Sequence, residues 1–369
     1  MKFEDRVEGA ILGAVLGDCV ANPYLFEKSK KLNAYKARVG WEVKDMSDES
    51  QLLMLGLATI NDHGMKQDAL IRAYQHWVKS SPVDLDHVMS TVFGVAEHLT
   101  ARVLWSNAPE FDFGTQNSSS LLARQIPIVL TAWRKEDESR LMRLIDDATR
   151  LTHTDALTRE VCQLYALTLA MALRGASKLH IWDALMNRVK TRLLCETIIE
   201  SYYSAPRMDR EDYSSNRITF QRVLHDLWHS QNFVSSIRSC ILSGGGTDMN
   251  ATAIGAVLGA HWGRHALPMP WMETLFQRYD AELAQTLQHA LCIAQRKKRI
   301  ETRTAESATP HTASRYVRPP QYMPNIAAQS IHSSQSNAAI GRSSATLGKV
   351  ACASQSNPAI RDLPTNEIH

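Results

Sequence analysis

The six cysteines of this 369-residue chain, Cys19, Cys162, Cys195, Cys240, Cys292 and Cys352, form no Cys-x-x-Cys pair. Scattered so widely, they argue against a zinc site or a disulfide framework and fit a reducing compartment. No apolar run approaches the ~20 residues that a bilayer-spanning helix needs. The stretch Ile11–Leu16 is far too short, Asp18 follows it at once, and the charged start Met1-Lys2-Phe3-Glu4-Asp5-Arg6 precedes it. A cytoplasmic protein without a membrane segment is expected. A basic face is missing too. The net charge of +3 is unevenly spread, with ten Lys or Arg against four Asp or Glu from Arg296 onward, which leaves the preceding body slightly acidic. The one dense basic run, Arg296-Lys297-Lys298-Arg299, reads as a solvated helix C-terminus complementing the dipole, so no nucleic-acid partner is expected.

Strand alternation and βαβ rhythm are likewise absent, and a helical period takes their place. Val7, Ala10, Ile11 and Ala14 recur at three and four positions, as do Ile254, Val257, Leu258 and His261. Long stretches of helix formers follow at Leu85–Trp105, Ser120–Trp133, Ala156–Leu173, Ile181–Tyr203, Ser215–Trp228 and Trp271–Lys298. With 44% hydrophobic residues the chain can bury a sizeable core. The string Gly-Ala-Val-Leu-Gly occurs at Gly13–Gly17 and again at Gly255–Gly259, and such small residues allow two helices to pack closely in the centre. Around Arg303 the composition shifts to Ser, Thr, Ala, Gln, Asn and Pro, too poor in apolar surface to offset chain entropy. The expectation is one all-α domain over 1–298 and a low-complexity, disordered tail over 299–369.

Two acidic-hydroxyl clusters open helices almost two hundred positions apart. The first, Met46-Ser47-Asp48-Glu49-Ser50-Gln51, runs into Leu52–Leu55; the second, Gly244-Gly245-Gly246-Thr247-Asp248, runs into Ala251, Ile254 and Val257. Carboxylates and hydroxyls at a helix start are the oxygen donors a hard divalent cation takes. A triple-glycine turn leading into a helix leaves N–H groups for an anion. Taken alone, the first cluster also reads as a capping sequence, with Asp48 at the N-cap and Gln51 three residues on. Likewise Leu151-Thr152-His153 followed by Asp155 reads alone as a helix cap with a partly buried histidine.

In this order and spacing, Gly13–Asp18, Ser47–Gln51, Leu151–Asp155 and Gly244–Gly263 together resemble the ADP-ribosylglycohydrolase family, whose members remove ADP-ribose from modified side chains. The resemblance spans Val7 to Gly263 and implies a compact multi-helix bundle of that kind. It implies Mg²⁺ as cofactor, with Ser47, Asp48, Glu49 and Asp248 as ligands and Asp48 and Glu49 as the catalytic carboxylates. It places Asn117, Ser118, Ser119 and Ser120 in the diphosphate loop, His153 in the nucleotide pocket, and Gly244, Gly245 and Gly246 beside the substrate.

The chain departs from the family pattern at named positions. Gly246 stands where the family has an aspartate, Met249 where it has a hydroxyl, Glu49 replaces an aspartate, and Leu25 lies near a common glutamate, with Glu27 two residues on. The remaining donors suffice for one Mg²⁺, and a second site is short of ligands. Two functions follow. One is hydrolysis of ADP-ribosylated protein side chains; the other is a catalytically weakened protein that binds ADP-ribose or neutralises an ADP-ribosylating toxin.

Overall fold

The computed structural model describes residues 1–34, 41–61, 64–82, 85, 87–94, 99–106, 120–206, 208 and 215–296. The described residues form fifteen α-helices and no strand, so the all-α expectation holds. In order these are α1 (Phe3–Ala21), α2 (Ser29–Ala34), α3 (Asp48–Ala58), α4 (Gln67–Lys79), α5 (His87–Gly94), α6 (Ala101–Ser106) and α7 (Ser120–Thr131). They continue with α8 (Glu138–Thr149), α9 (Ala156–Leu173), α10 (Lys178–Arg188), α11 (Arg192–Tyr203), α12 (Asn216–His229), α13 (Phe233–Ser243), α14 (Thr247–Trp262) and α15 (Met269–Gln295). None is long and apolar enough to cross a membrane. The expected end of the body at 298 and the tail over 299–369 lie outside the described residues.

The centre of the molecule is an antiparallel pair, α1 against α14. Gly9–Ala21 and Asn250–Ala260 are buried on every side, the mark of helices enclosed by others. The repeated glycine string sets their separation. A Cβ at Gly13 would lie 2.3 Å from Gly255 O, one at Gly255 would lie 2.0 Å from Gly13 O, and one at Gly259 would lie 1.9 Å from Gly9 O. Only glycine permits so close an approach of two backbones. Around this pair, α3, α7, α9, α12, α13 and α15 complete the main apolar core. A smaller cluster gathers Leu52 and Leu151 with Tyr74, Trp77, Val88, Met89 and Phe93 from α4 and α5.

Two of the long stretches of helix formers each hold two helices. Leu85–Trp105 holds α5 and α6, with 95–98 between them outside the described residues. Ile181–Tyr203 is broken between α10 and α11, although Val189-Lys190-Thr191 holds neither Gly nor Pro. Glu160 Oε1 on α9 accepts the N–H of Lys190 at 2.5 Å and of Thr191 at 3.2 Å, replacing helical bonds with charge-assisted ones. Thr191 then caps α11 by accepting from Leu194 N.

Candidate active site

Asp18 sits near the C-terminal end of α1, inside an apolar helix, and is fully buried. Its Oδ1 accepts the Ser47 hydroxyl at 2.6 Å, and its Oδ2 accepts Ser47 N–H at 3.0 Å and Ser50 N–H at 3.2 Å. A carboxylate from α1 therefore satisfies donors at the open end of α3 that no intrahelical carbonyl reaches. Burial pushes the Asp18 carboxyl up to about 6, against the lowering effect of these hydrogen bonds. The N-cap is Ser47, whose Oγ accepts from Glu49 N at 3.2 Å, and not Asp48. Gln51 does not fold back to close a capping box; its Oε1 accepts the Trp77 indole N–H at 2.8 Å. Asp48 and Glu49 consequently occupy the first turn of α3, both buried, where the positive end of the helix dipole favours their charge.

The second cluster follows α13. Gly244 and Gly245 take left-handed φ of 77° and 76°, which a side chain would strain. A Cβ at Gly244 would also strike Glu27 O at 2.6 Å and Ser29 N at 2.7 Å. The turn is fastened to the segment after α1: Phe26 N donates to Gly245 O at 2.8 Å and Gly245 N to Glu27 O at 3.2 Å. Gly246 is the N-cap of α14 and brings no side-chain cap. Thr247 Oγ1 donates to Ala21 O at 3.0 Å, tying the start of α14 to the end of α1. Asp248 is buried in the first turn of α14, and its Oδ1 accepts from Met249 N at 2.7 Å.

Asp18 and Ala21 lie in the same last turn of α1. Through them the sequence-predicted Ser47, Asp48 and Glu49 on one side, and Asp248 with Gly244–Gly246 on the other, are fastened to one place in the fold. Tyr165 on α9 adds a further link: its hydroxyl donates to Ala253 O at 3.2 Å, and its pKa is raised by burial first, then by Cys162 and the Glu49 charge. Glu27, half-buried, pairs with Lys31. Among the described residues no three His, Cys, Asp or Glu side chains gather closely enough to hold a metal ion.

His153 is fully buried, not partly, and its Nδ1 lies 3.0 Å from Thr152 Oγ1. The helix cap beside it is Asp155, which accepts from Thr158 N at 2.8 Å. Thr152 Oγ1 also accepts from Arg124 Nη2 at 2.8 Å. Arg124, 6% exposed, has Nη1 against Met89 Sδ at 3.0 Å and its guanidinium 5.8 Å from the Tyr74 ring centre. No carboxylate pairs with it among the described residues. Ser120 is the buried first residue of α7, one turn before Arg124, and α7 packs against both α3 and α14. Asn117, Ser118 and Ser119 lie outside the described residues. Asp18 and Thr152 stand in the motifs that carry the resemblance but are not among the site residues it implies. For Asp18 the signal was present, since a lone carboxylate in an apolar helix has to find donors.

The architecture is an all-α bundle in which the first turns of α3 and α14 carry buried carboxylates, Asp48 and Glu49 on one and Asp248 on the other. The family model for ADP-ribosylglycohydrolases matches residues 1–301, and the chain belongs to that family. Among its relatives is a putative ADP-ribosyl glycohydrolase, L543, of Acanthamoeba polyphaga mimivirus, 22% identical over 316 residues that cover 77% of this chain and 94% of the relative. Another is the ADP-ribosylarginine hydrolase Tri1 of Serratia proteamaculans (strain 568), 23% identical over 285 residues, covering 74% of this chain and 76% of the relative. A solved structure titled ADP-ribosylglycohydrolase-related protein complex shares the fold, with a TM-score of 0.64 at 19% identity, covering 79% of this chain and 99% of that one.

Proposed function

We propose that this chain hydrolyses the glycosidic bond joining ADP-ribose to a modified protein side chain, with Mg²⁺ held near the end of α1. The observation that carries the reading is the fastening of two carboxylate-bearing helix N-termini, those of α3 and α14, to one turn of α1. Mg²⁺ is commonly held by one or two carboxylates, with water completing an octahedral shell. Asp48 and Asp248 supply that number, and Glu49 follows Asp48 in the first turn of α3. The Ser47 hydroxyl gives its proton to Asp18 and keeps only a lone pair to offer. A second ion would need donors where Gly246 and Met249 have none.

Bound there, Mg²⁺ supplies polarisation of water and orientation of the ribose hydroxyls. Asp48 or Glu49 takes the proton of the attacking water as positive charge builds at ribose C1. Their burial in the first turn of α3 keeps both carboxylates on a rigid element and away from bulk solvent. His153 and the serines at 118–120 hold the nucleotide side, and the Gly244–Gly246 turn lines the metal side. Arginine is the first side chain to test, because the Tri1 relatives are named for that linkage.

Gly246 and Met249 favour a second reading, a protein that binds ADP-ribose or an ADP-ribosylated partner without turnover. Incubation with a protein ADP-ribosylated on arginine, with Mg²⁺ or with chelator, separates the two. Free ADP-ribose that appears with Mg²⁺ and disappears in Asp48→Ala supports hydrolysis. Binding without release supports the second reading, and neither binding nor release removes both.

A further inference from the structure

A groove of about 440 Å³ opens between α2 and α13, lined by Ser29, Asn33, Ser235, Arg238, Ser239 and Ser243, with Leu242 as its one apolar wall. Behind it lies Arg222, 1% exposed. Its Nε donates to Asp226 Oδ2 at 3.0 Å, its Nη1 to Ser243 Oγ at 2.7 Å and its Nη2 to Ser239 Oγ at 2.9 Å. A guanidinium has only donors, so both serine hydroxyls accept from it and their own protons must go elsewhere. Ser243 gives its proton to Ser239 O at 2.9 Å. Among the described residues the Ser239 hydroxyl has no such acceptor, which leaves its proton for the groove.

At the rim, the Arg238 guanidinium lies 5.1 Å from the Trp41 ring centre and makes no ion pair or hydrogen bond among the described residues. The C-terminal end of a helix ordinarily repels an anion. Here that end is already covered: Leu242 O accepts from Ser29 Oγ at 2.9 Å and from Asn33 Nδ2 at 3.0 Å, and Ile241 O accepts from Gly244 N at 2.9 Å. Among the described residues no carboxylate lines the walls. The groove thus offers a planar, unpaired cation, a hydroxyl proton, and a second guanidinium behind that hydroxyl.

We propose that this groove binds a small phosphate-type oxyanion, held by Arg238 and Ser239 and supported through Ser239 by Arg222. The forked guanidinium and the hydroxyl are donors that match the tetrahedral oxygens of such a group. The groove is separate from the carboxylates of α3 and α14, and the proposal does not depend on hydrolysis. Both of its walls nevertheless lead to the Gly244–Gly245 turn, one through Ser243 and the other through Ser29 and Glu27.

Calorimetric titration of the full chain with orthophosphate, at constant ionic strength in chloride, tests this. The expected result is one millimolar site in the parent and unchanged in Asp48→Ala. It should be weakened about tenfold in Arg238→Ala and severalfold in Ser239→Ala, with Arg238→Lys between parent and alanine. Arg238 and Ser239 are exposed, and equal melting temperatures without phosphate show that the variants are folded. Absence of binding in the parent, full-strength binding in Arg238→Ala, or loss of binding in Asp48→Ala would each overturn the proposal.

Discussion

Replacing Gly255 by alanine places a methyl group where the backbone of α1 already is. The new Cβ would stand 2.0 Å from Gly13 O, 2.7 Å from Gly13 C and 3.3 Å from Ala14 N. It must retreat by about 1 Å merely to reach the 3.0 Å below which real Cβ contacts are essentially unknown. A flexible side chain could swing aside, but a carbonyl inside a helix cannot. Alanine by itself favours a helix interior over glycine by about 1 kcal/mol. Against this, overpacking costs about 1–3 kcal/mol and more where the neighbour is rigid, and parting the helices loosens every contact along the pair. The steric effect wins, and a net loss of at least about 3 kcal/mol is expected, which lowers the melting temperature by roughly 6–12 °C. Gly94→Ala is the control, because among the described residues its Cβ would meet only Val78 Cγ1 at 3.5 Å, an ordinary contact. It should melt within about 0.5 kcal/mol of the parent. Thermal denaturation of both variants decides, and a Gly255→Ala protein that melts like Gly94→Ala would refute the close-packed account of α1 and α14.

Asp18→Ala strands three buried donors, Ser47 Oγ, Ser47 N and Ser50 N, and should cost about 2–4 kcal/mol, whereas in Asp18→Asn the amide oxygen still accepts the two N–H groups. Because the folded-state value of Asp18 is raised to about 6, the stability it contributes is fully present at low pH and is lost as pH rises through 6; the difference in melting temperature between parent and Asp18→Asn should therefore change between pH 4 and 7, and a constant difference would contradict it. Arg124→Met removes a buried cation that has no carboxylate partner among the described residues, so denaturation should show a change within about 1.5 kcal/mol. The same variant should bind ADP-ribose severalfold more weakly by calorimetry, because Thr152 and His153 lose their anchor. Deleting residues 302–369 should leave the melting temperature nearly unchanged, and a large drop would place part of the core in that segment.

The helical period announced α1, α7, α9, α12 and α14 clearly, and the duplicated glycine string announced the pairing of α1 with α14. What escaped the sequence were the polar contacts made by distant residues. Asp48-Glu49-Ser50-Gln51 has the local form of a capping box, yet Asp18, some thirty positions earlier, takes the N–H groups of Ser47 and Ser50, and Gln51 turns to Trp77. The break between α10 and α11 carries no glycine or proline because Glu160, thirty residues upstream, receives the freed N–H groups. At the candidate site the residue types were legible in Ser47, Asp48, Glu49 and Asp248. Their attachment to one turn of α1 was not, because it runs through Asp18 and the carbonyl of Ala21, which no spacing rule links to either cluster.

The central claim is that the N-termini of α3 and α14 together build one cation site, and calorimetric titration of the parent, Asp48→Ala and Asp248→Ala with Mg²⁺ tests it most directly. The account predicts one ion per chain in the parent and binding weakened by orders of magnitude in each single variant, since each removes one of two charged ligands. Parent-like binding in either variant, or two ions of equal affinity in the parent, would contradict it.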